Sequence, residues 1–268
     1  MPFLDNSLHL ARVWLAIVRV SIIREMEFRA NFILGLVRQI AWLGIFILMI
    51  KTVFANTTSL AGWGQNEVLI ILSLSRIIEG FLNTVFSRNV AEVPQMIQAG
   101  TFDFILTKPM PAQLYASFRR FKVDSLANVV AGIVLLIYAL TQLPTLPSIS
   151  SLLIFMLVSL LGIAVFYSLL IIVVSLAFLL ERFEGFYAFT NMFSEPLTVP
   201  FDIFPRGPRL ILTYLLPLAF VVFVPAQALT HRLQGWQVIV SIVITSIFLL
   251  LAHLAWRSGI RRYSSASS

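Results

Sequence analysis

No cysteine occurs among the 268 residues, which excludes disulfides, thiolate metal sites and cysteine nucleophiles together. Charge is scarce as well: Asp, Glu, Lys and Arg make up 12% of the chain, against 59% hydrophobic residues. A soluble domain of this length needs far more polar surface to cover itself, so a soluble globular fold is excluded. The histidines, His9, His231 and His253, are widely separated and have no metal-ligand spacing,; no metal site is expected. The chain lacks a Gly-x-x-x-x-Gly-Lys-Ser/Thr phosphate loop and so cannot hold ATP that way. Nothing resembles a nucleophile elbow, no catalytic set can be assembled, and the chain is not expected to be an enzyme. The N-terminus carries charges without a compact apolar core and small-residue cleavage site, so a cleavable signal peptide is not expected,.

What is present is a succession of apolar runs of about 20 residues, each long enough to cross a bilayer, in a chain of mean hydropathy +0.93. The runs are continuous rather than alternating, which excludes a membrane β-barrel and leaves helices. The expected fold is an all-α integral membrane protein, a single transmembrane domain over 1–268. Six transmembrane helices are predicted, over 32–54, 67–87, 123–141, 152–180, 186–203 and 236–257. The net charge of +7, from 19 Lys and Arg against 12 Asp and Glu, fits cytoplasmic segments meeting anionic membrane lipids better than it fits nucleic acid. Arg12, Arg19, Arg24 and Arg29 at one end, and Arg257, Arg261 and Arg262 at the other, place both termini on the cytoplasmic side of a plasma membrane. Arg206, Arg209 and Arg232 break that charge rule and have no topological explanation.

Five features depart from plain apolar spans. Residues 3–30 alternate arginines with Trp14, Leu15, Val18, Ile22 and Met26; the pattern suits an amphipathic helix in the headgroup plane, or a basic extension of the first span. In the second span Arg76 and Glu79 stand three residues apart on neighbouring helical positions,. Charges at that depth are costly and either pair for packing or face a substrate path or subunit interface. Residues 205–230 are broken by Pro205, Pro208, Pro217 and Pro225 and read as short re-entrant helices on the outer side, with a kinked span as the alternative. Glu181 to Gly185 forms a charged turn on the inner side.

The fifth feature is the one long polar interruption, 91–122. Ala91 to Ala99 suits a short amphipathic helix ended by Gly100 as a C′ glycine,. Thr101 begins a second turn displaying Phe102, Asp103, Ile105 and Leu106, and Lys108-Pro109-Met110-Pro111 stops it,. Composition alone leaves this stretch either an ordinary loop or a compact knob on which a cytosolic partner can push.

The segment Gly100-Thr101-Phe102-Asp103-Phe104-Ile105-Leu106-Thr107-Lys108-Pro109 resembles the Gly-x-Leu/Phe-Asp-x-x-Leu-x-Lys/Arg-Pro segment of ABC-2-type transporter permeases, in the branch of roughly 260-residue, six-span subunits. Phe204-Pro205 with Arg209, then Leu216-Pro217-Leu218-Ala219-Phe220 and Pro225, is similar to the later elements of that branch, although Tyr often stands where this chain has Phe204. The basic N-terminal helix resembles its amphipathic elbow helix. The resemblance implies that 91–122 carries a cytoplasmic coupling helix docking on a separate ABC ATPase. Phe102, Asp103 and Leu106 would be contacts, with Gly100, Lys108 and Pro109 shaping the turn. It further implies a dimer with a second permease, identical or paralogous, no cofactor in this chain, and ATP and Mg bound by the partner. Pro205, Arg209, Pro217 and Pro225 would then belong to outer re-entrant helices capping the path of an ATP-driven exporter. An ATP-independent secondary transporter or channel is the alternative, and it would lean on Arg76 and Glu79.

Overall fold

A computed structural model describes residues 29–180 and 186–263, together with residues 19, 20 and 23. The helix expected over 3–30 therefore lies almost wholly outside the described residues, as does the charged turn 181–185. The long helices are α1 (Arg29–Asn56), α2 (Gln65–Leu82), α7 (Leu126–Thr141), α8 (Ile149–Ser175) and α12 (Gly235–Arg262). Between α2 and α7 come α3 (Arg88–Ala91), α4 (Val93–Gln98), α5 (Asp103–Leu106) and α6 (Ala112–Phe118). Between α8 and α12 come α9 (Phe186–Ser194), α10 (Arg206–Leu210) and α11 (Phe223–Leu229).

Local chemistry sets the helix starts. The Glu67 carboxylate accepts the Gly64 N–H at 2.8 Å and so caps α2,. Ser148 accepts the Ser151 N–H at 3.2 Å at the start of α8,, and the Gln237 carboxamide accepts the Gln234 N–H at 2.7 Å at the start of α12. A π-helical turn over Asn83–Ser87 joins α2 to α3. With α4 these form a nearly continuous rod, Gln65–Gln98, of 34 residues.

Among the described residues five helices are long and apolar enough to cross a membrane: Ile33–Asn56, Gln65–Gln98, Val123–Thr141, Ile149–Phe178 and Gly235–Arg262. The pair Arg206–Leu215 and Leu218–Leu229, bent by 71° at Pro217, makes a sixth if it counts as one span. The structure departs from expectation at 186–203, which is not one continuous helix. α9 covers nine residues and is followed by 3₁₀ turns over Glu195–Thr198 and Phe201–Ile203. Pro196 and Pro200 withdraw the N–H groups a longer helix needs, and nine residues rise only about 14 Å, half a bilayer core.

The rod that contains α2 is the central element, with 72% of its apolar window buried against 6% for Ile33–Asn56. The closest neighbour of α2 is α7, and glycines make the approach possible. A Cβ on Gly132 would lie 2.8 Å from the Ser73 carbonyl oxygen and 3.0 Å from the Ile77 nitrogen; one on Gly80 would lie 2.9 Å from the Val129 nitrogen. α8 packs on α12, and the broken segment before α11 lies on α8 at Gly162, where a Cβ would collide with the Phe220 carbonyl. Small residues serve this purpose in membrane helices because lipid tails are as apolar as leucine, so close van der Waals contact must supply the attraction. Buried serines and threonines return their hydroxyls to their own helix, as Ser73 does to the Ile70 carbonyl at 2.7 Å and Ser168 to Ala164 at 2.7 Å. The outward apolar faces of α1 and α12, including Leu34, Ile40, Leu48, Ile239, Leu250 and Leu254, are exposed to lipid.

The glycine contacts yield a direct comparison. Gly132→Ala forces α7 off α2 and lowers the thermal midpoint in detergent. Gly44→Ala, where a Cβ meets nothing within 4 Å, leaves the midpoint unchanged or raises it through helix propensity, worth up to about 1 kcal/mol. Equal midpoints for the two variants would show that the α2–α7 crossing is not set by close approach.

Candidate functional site

The polar interruption forms a compact arm at one end of the bundle. α4 ends where Gly100 adopts φ +68°, and the Phe102 N–H returns to the Met96 carbonyl at 3.1 Å while the Gly100 N–H reaches Ile97 at 3.2 Å. This is a left-handed glycine stop, as the sequence implied. The chain reverses and enters α5 with Phe102 pointing inward.

Phe102 is fully buried. Its ring meets Phe178 at 5.2 Å, Tyr263 at 5.4 Å and Trp256 at 6.1 Å between centroids, each pair edge-on,. The arm is thus bolted to the ends of α8 and α12. This corrects the expectation that Phe102 is a contact residue: its ring has no free surface, and the aromatic displayed outward is Phe104, 69% exposed. Asp103 is half-buried next to the Tyr263 phenol, whose pKa is raised first by burial and then by the Asp103 charge,. Leu106, Lys108 and Pro109 are exposed, as are Gln98, Thr107 and Leu114, so the arm's free face is Phe104 and Leu106 beside one lysine.

A polar clamp, not foreseen from the sequence, fixes the root of the arm. Glu92 takes ion pairs from Arg119 at 2.9 Å, Arg120 at 2.9 Å and Arg88 at 3.6 Å. Burial pulls the Arg119 pKa down from its ordinary value and the Glu92 charge opposes that shift,. The Asn89 amide donates to the Ser117 carbonyl at 3.0 Å and to the Arg120 carbonyl at 2.8 Å. Together these bonds tie α3 and the start of α4 to the end of α6.

The intramembrane pair is made: Arg76 meets Glu79 at 3.1 Å, and its guanidinium lies 5.2 Å from the Phe46 ring centroid. The pair opens on a cavity of about 390 Å³ that Asn191, Ser194, Glu195 and Thr198 also line. Glu195, in the 3₁₀ turn that follows α9, thereby joins Arg76 and Glu79 around one cavity. Its sequence distance from Arg76 hid the association.

Two of the arginines that broke the charge rule have partners at the opposite end. Arg209 meets Asp202 at 2.8 Å, and the Trp63 indole N–H donates to the other Asp202 oxygen at 2.9 Å. Arg232 meets Glu67 at 2.8 Å and lies 4.6 Å from the centroid of the Trp63 ring. Trp63 itself is buried against Phe223 at 5.2 Å. Pro205 precedes α10, Pro217 stands at the 71° bend, and Pro225 lies in the first turn of α11.

The family model described as ABC-2 family transporter protein matches residues 40–267. The chain belongs to the ABC-2 transporter family. No curated protein and no solved structure matches it. The matched span contains the arm, the Arg76 cavity and the Trp63 network. As an ABC-2 permease the chain is a multi-pass membrane transport subunit of a kind that works with ATPase partners.

Burial and exposure separate two phenylalanines of this permease. Phe102→Ala empties the aromatic socket and costs about 3 kcal/mol or more of stability, read as a lower denaturation midpoint of the purified chain. Phe104→Ala leaves that midpoint unchanged. A silent Phe102→Ala would mean that the arm is not held by its ring.

Proposed function

We propose that this chain is the permease subunit of an ATP-driven exporter. It pairs with a second permease, identical or paralogous, and each permease docks an ABC ATPase that binds ATP and Mg. Both termini and the arm face the cytoplasm of a plasma membrane in this reading. The observation that carries it is the arm itself: a four-residue helix anchored by a buried ring, with Phe104 and Leu106 left uncovered beyond the bundle. Exposed large apolar side chains next to polar ones mark a partner surface, and α5 is short enough to enter a groove on an ATPase.

The mechanism follows from rigidity. ATP shifts the transporter between states only by binding one of them better, which it does by closing the ATPase pair. That displacement enters at Phe104 and Leu106. It passes through the Phe102 socket to α8 and α12 and through the Glu92 clamp to the rod that contains α2. The Arg76–Glu79 cavity, with Asn191 and Glu195 on its far wall, supplies a polar surface within the membrane that a second permease or a passing solute covers, since charges there need company. Asp103 acts through Tyr263 and the socket. Lys108 offers a charge at the edge of the contact.

The test is affinity purification of the tagged chain co-expressed with its ATPase, followed by ATP-dependent transport in proteoliposomes. The unaltered permease recovers the ATPase. Phe104→Ala with Lys108→Glu lowers transport per ATP hydrolysed by tenfold or more, about the loss of 1.4 kcal/mol of coupling, without changing the permease's own midpoint. Full coupling in that variant, or flux in liposomes without any ATPase, overturns the reading.

A further inference from the structure

At the end of α12 away from the arm lies a cleft of about 390 Å³ lined by two arginines, two glutamines and aromatic side chains. α12 has 28 residues, so Trp236 and Gln237 stand roughly 40 Å from Tyr263 along its axis,, on the other side of the bilayer from the arm. The cleft falls between the bent pair and the first turn of α12, and its size is that of a small-molecule site.

Its charges come from Arg206 and Arg209. Arg209 is held by Asp202, whose second oxygen is already occupied by the Trp63 indole. Arg206 is exposed and makes no ion pair among the described residues. Two guanidinium groups against one carboxylate leave a local charge of +1. The carboxamides point the same way. Gln237 donates to the Gln227 oxygen at 2.8 Å, and its own oxygen accepts the Gln234 N–H at 2.7 Å. Both carbonyl oxygens are therefore engaged, and the Gln227 amide nitrogen is left as a donor without a partner among the described residues. A cleft that offers guanidinium and amide N–H groups, with both carboxamide oxygens already bonded and hydroxyls on Thr213 and Tyr214 that can also donate, suits an oxyanion,.

The other half of the cleft is apolar. Phe201, Phe220 and Phe223 form its floor, and Leu210 and Leu215, 58% and 68% exposed, continue it outward along the lipid-facing side of the bent pair. Tyr214 and Trp236 stand at its mouth, the residue types that sit at headgroup level. A free anion has no use for that runway, whereas an acyl chain does.

We infer that this cleft binds the anionic headgroup of a membrane lipid in the leaflet opposite the arm. Arg206, Arg209 and Gln227 take the phosphate, and the acyl chain lies along Leu210 and Leu215. Such a site also gives Arg206 a reason to stand on the side of the membrane where the charge rule disfavours it. The inference needs no ATPase and survives if the coupling reading fails.

The experiment is native mass spectrometry of the full chain in detergent micelles, titrated with phosphatidylglycerol, phosphatidylcholine or inorganic phosphate. Both lipids carry the same phosphodiester, but the choline cation of phosphatidylcholine is repelled by the cleft's net positive charge, so phosphatidylglycerol is expected to bind about tenfold tighter. Arg206→Gln narrows that ratio several-fold. Arg206→Gln/Arg209→Gln removes it, while Arg261→Gln/Arg262→Gln at the other end leaves it intact. Arg206 is exposed and makes no ion pair among the described residues, so its single variant reads binding without loosening a salt bridge. An unchanged ratio in Arg206→Gln/Arg209→Gln, or an equal loss in Arg261→Gln/Arg262→Gln, overturns the site. Displacement of phosphatidylglycerol by millimolar phosphate overturns the lipid as its occupant.

Discussion

Lipid gives helices no hydrophobic reason to leave it for one another, and that constraint shapes every contact that defines this fold. Attraction has to come from atoms brought unusually close or from polar groups that lipid cannot satisfy. The first route appears where α7 lies on α2 through Gly80 and Gly132, and where the broken segment lies on α8 through Gly162. The second appears as ion pairs and capped carbonyls at both ends, with Glu92 collecting three arginines at one end and Asp202 and Glu67 taking one each at the other. Ordinary apolar burial decides matters chiefly at the margin, where Phe102 and Trp63 seat in protein sockets.

The two ends are built on a common plan. Each has one large aromatic side chain sunk into the bundle, with arginine–carboxylate pairs holding the surrounding turns. At the arm the ring is Phe102 and the carboxylate is Glu92; at the far end the ring is Trp63 and the carboxylates are Asp202 and Glu67. Between them α2 runs almost uninterrupted. A displacement imposed on the arm therefore meets few soft joints before it reaches the cavity at Arg76.

Hydropathy made most of the crossings legible, because 20 consecutive apolar residues have few alternatives. Gly100 and Pro109 were equally readable, since a left-handed stop and a missing N–H are local properties. The direction of Phe102 was not. α5 has four residues, too few for periodicity to separate an inward from an outward ring, and the outward ring is Phe104 rather than Phe102. The segment 186–203 misled for a related reason: its composition suits a span, while Pro196 and Pro200 allow only a short helix and two turns. Arg232 and Glu195 depended on partners far along the chain, as with the separation of 165 positions between Glu67 and Arg232, and no local pattern reveals those.

The π turn at Asn83–Ser87 sets an angle as well as a path. It inserts one residue into an otherwise regular rod, and one residue is worth about 100° of rotation. Without it, Asn89 and Glu92 would swing away from α6, while Arg76 and Glu79 above stayed where they are. The azimuth of the arm relative to the Arg76 cavity is thus encoded by residue count rather than by side-chain identity, so that loss of one residue here would re-aim the whole arm while sparing the contacts of α2 with α7.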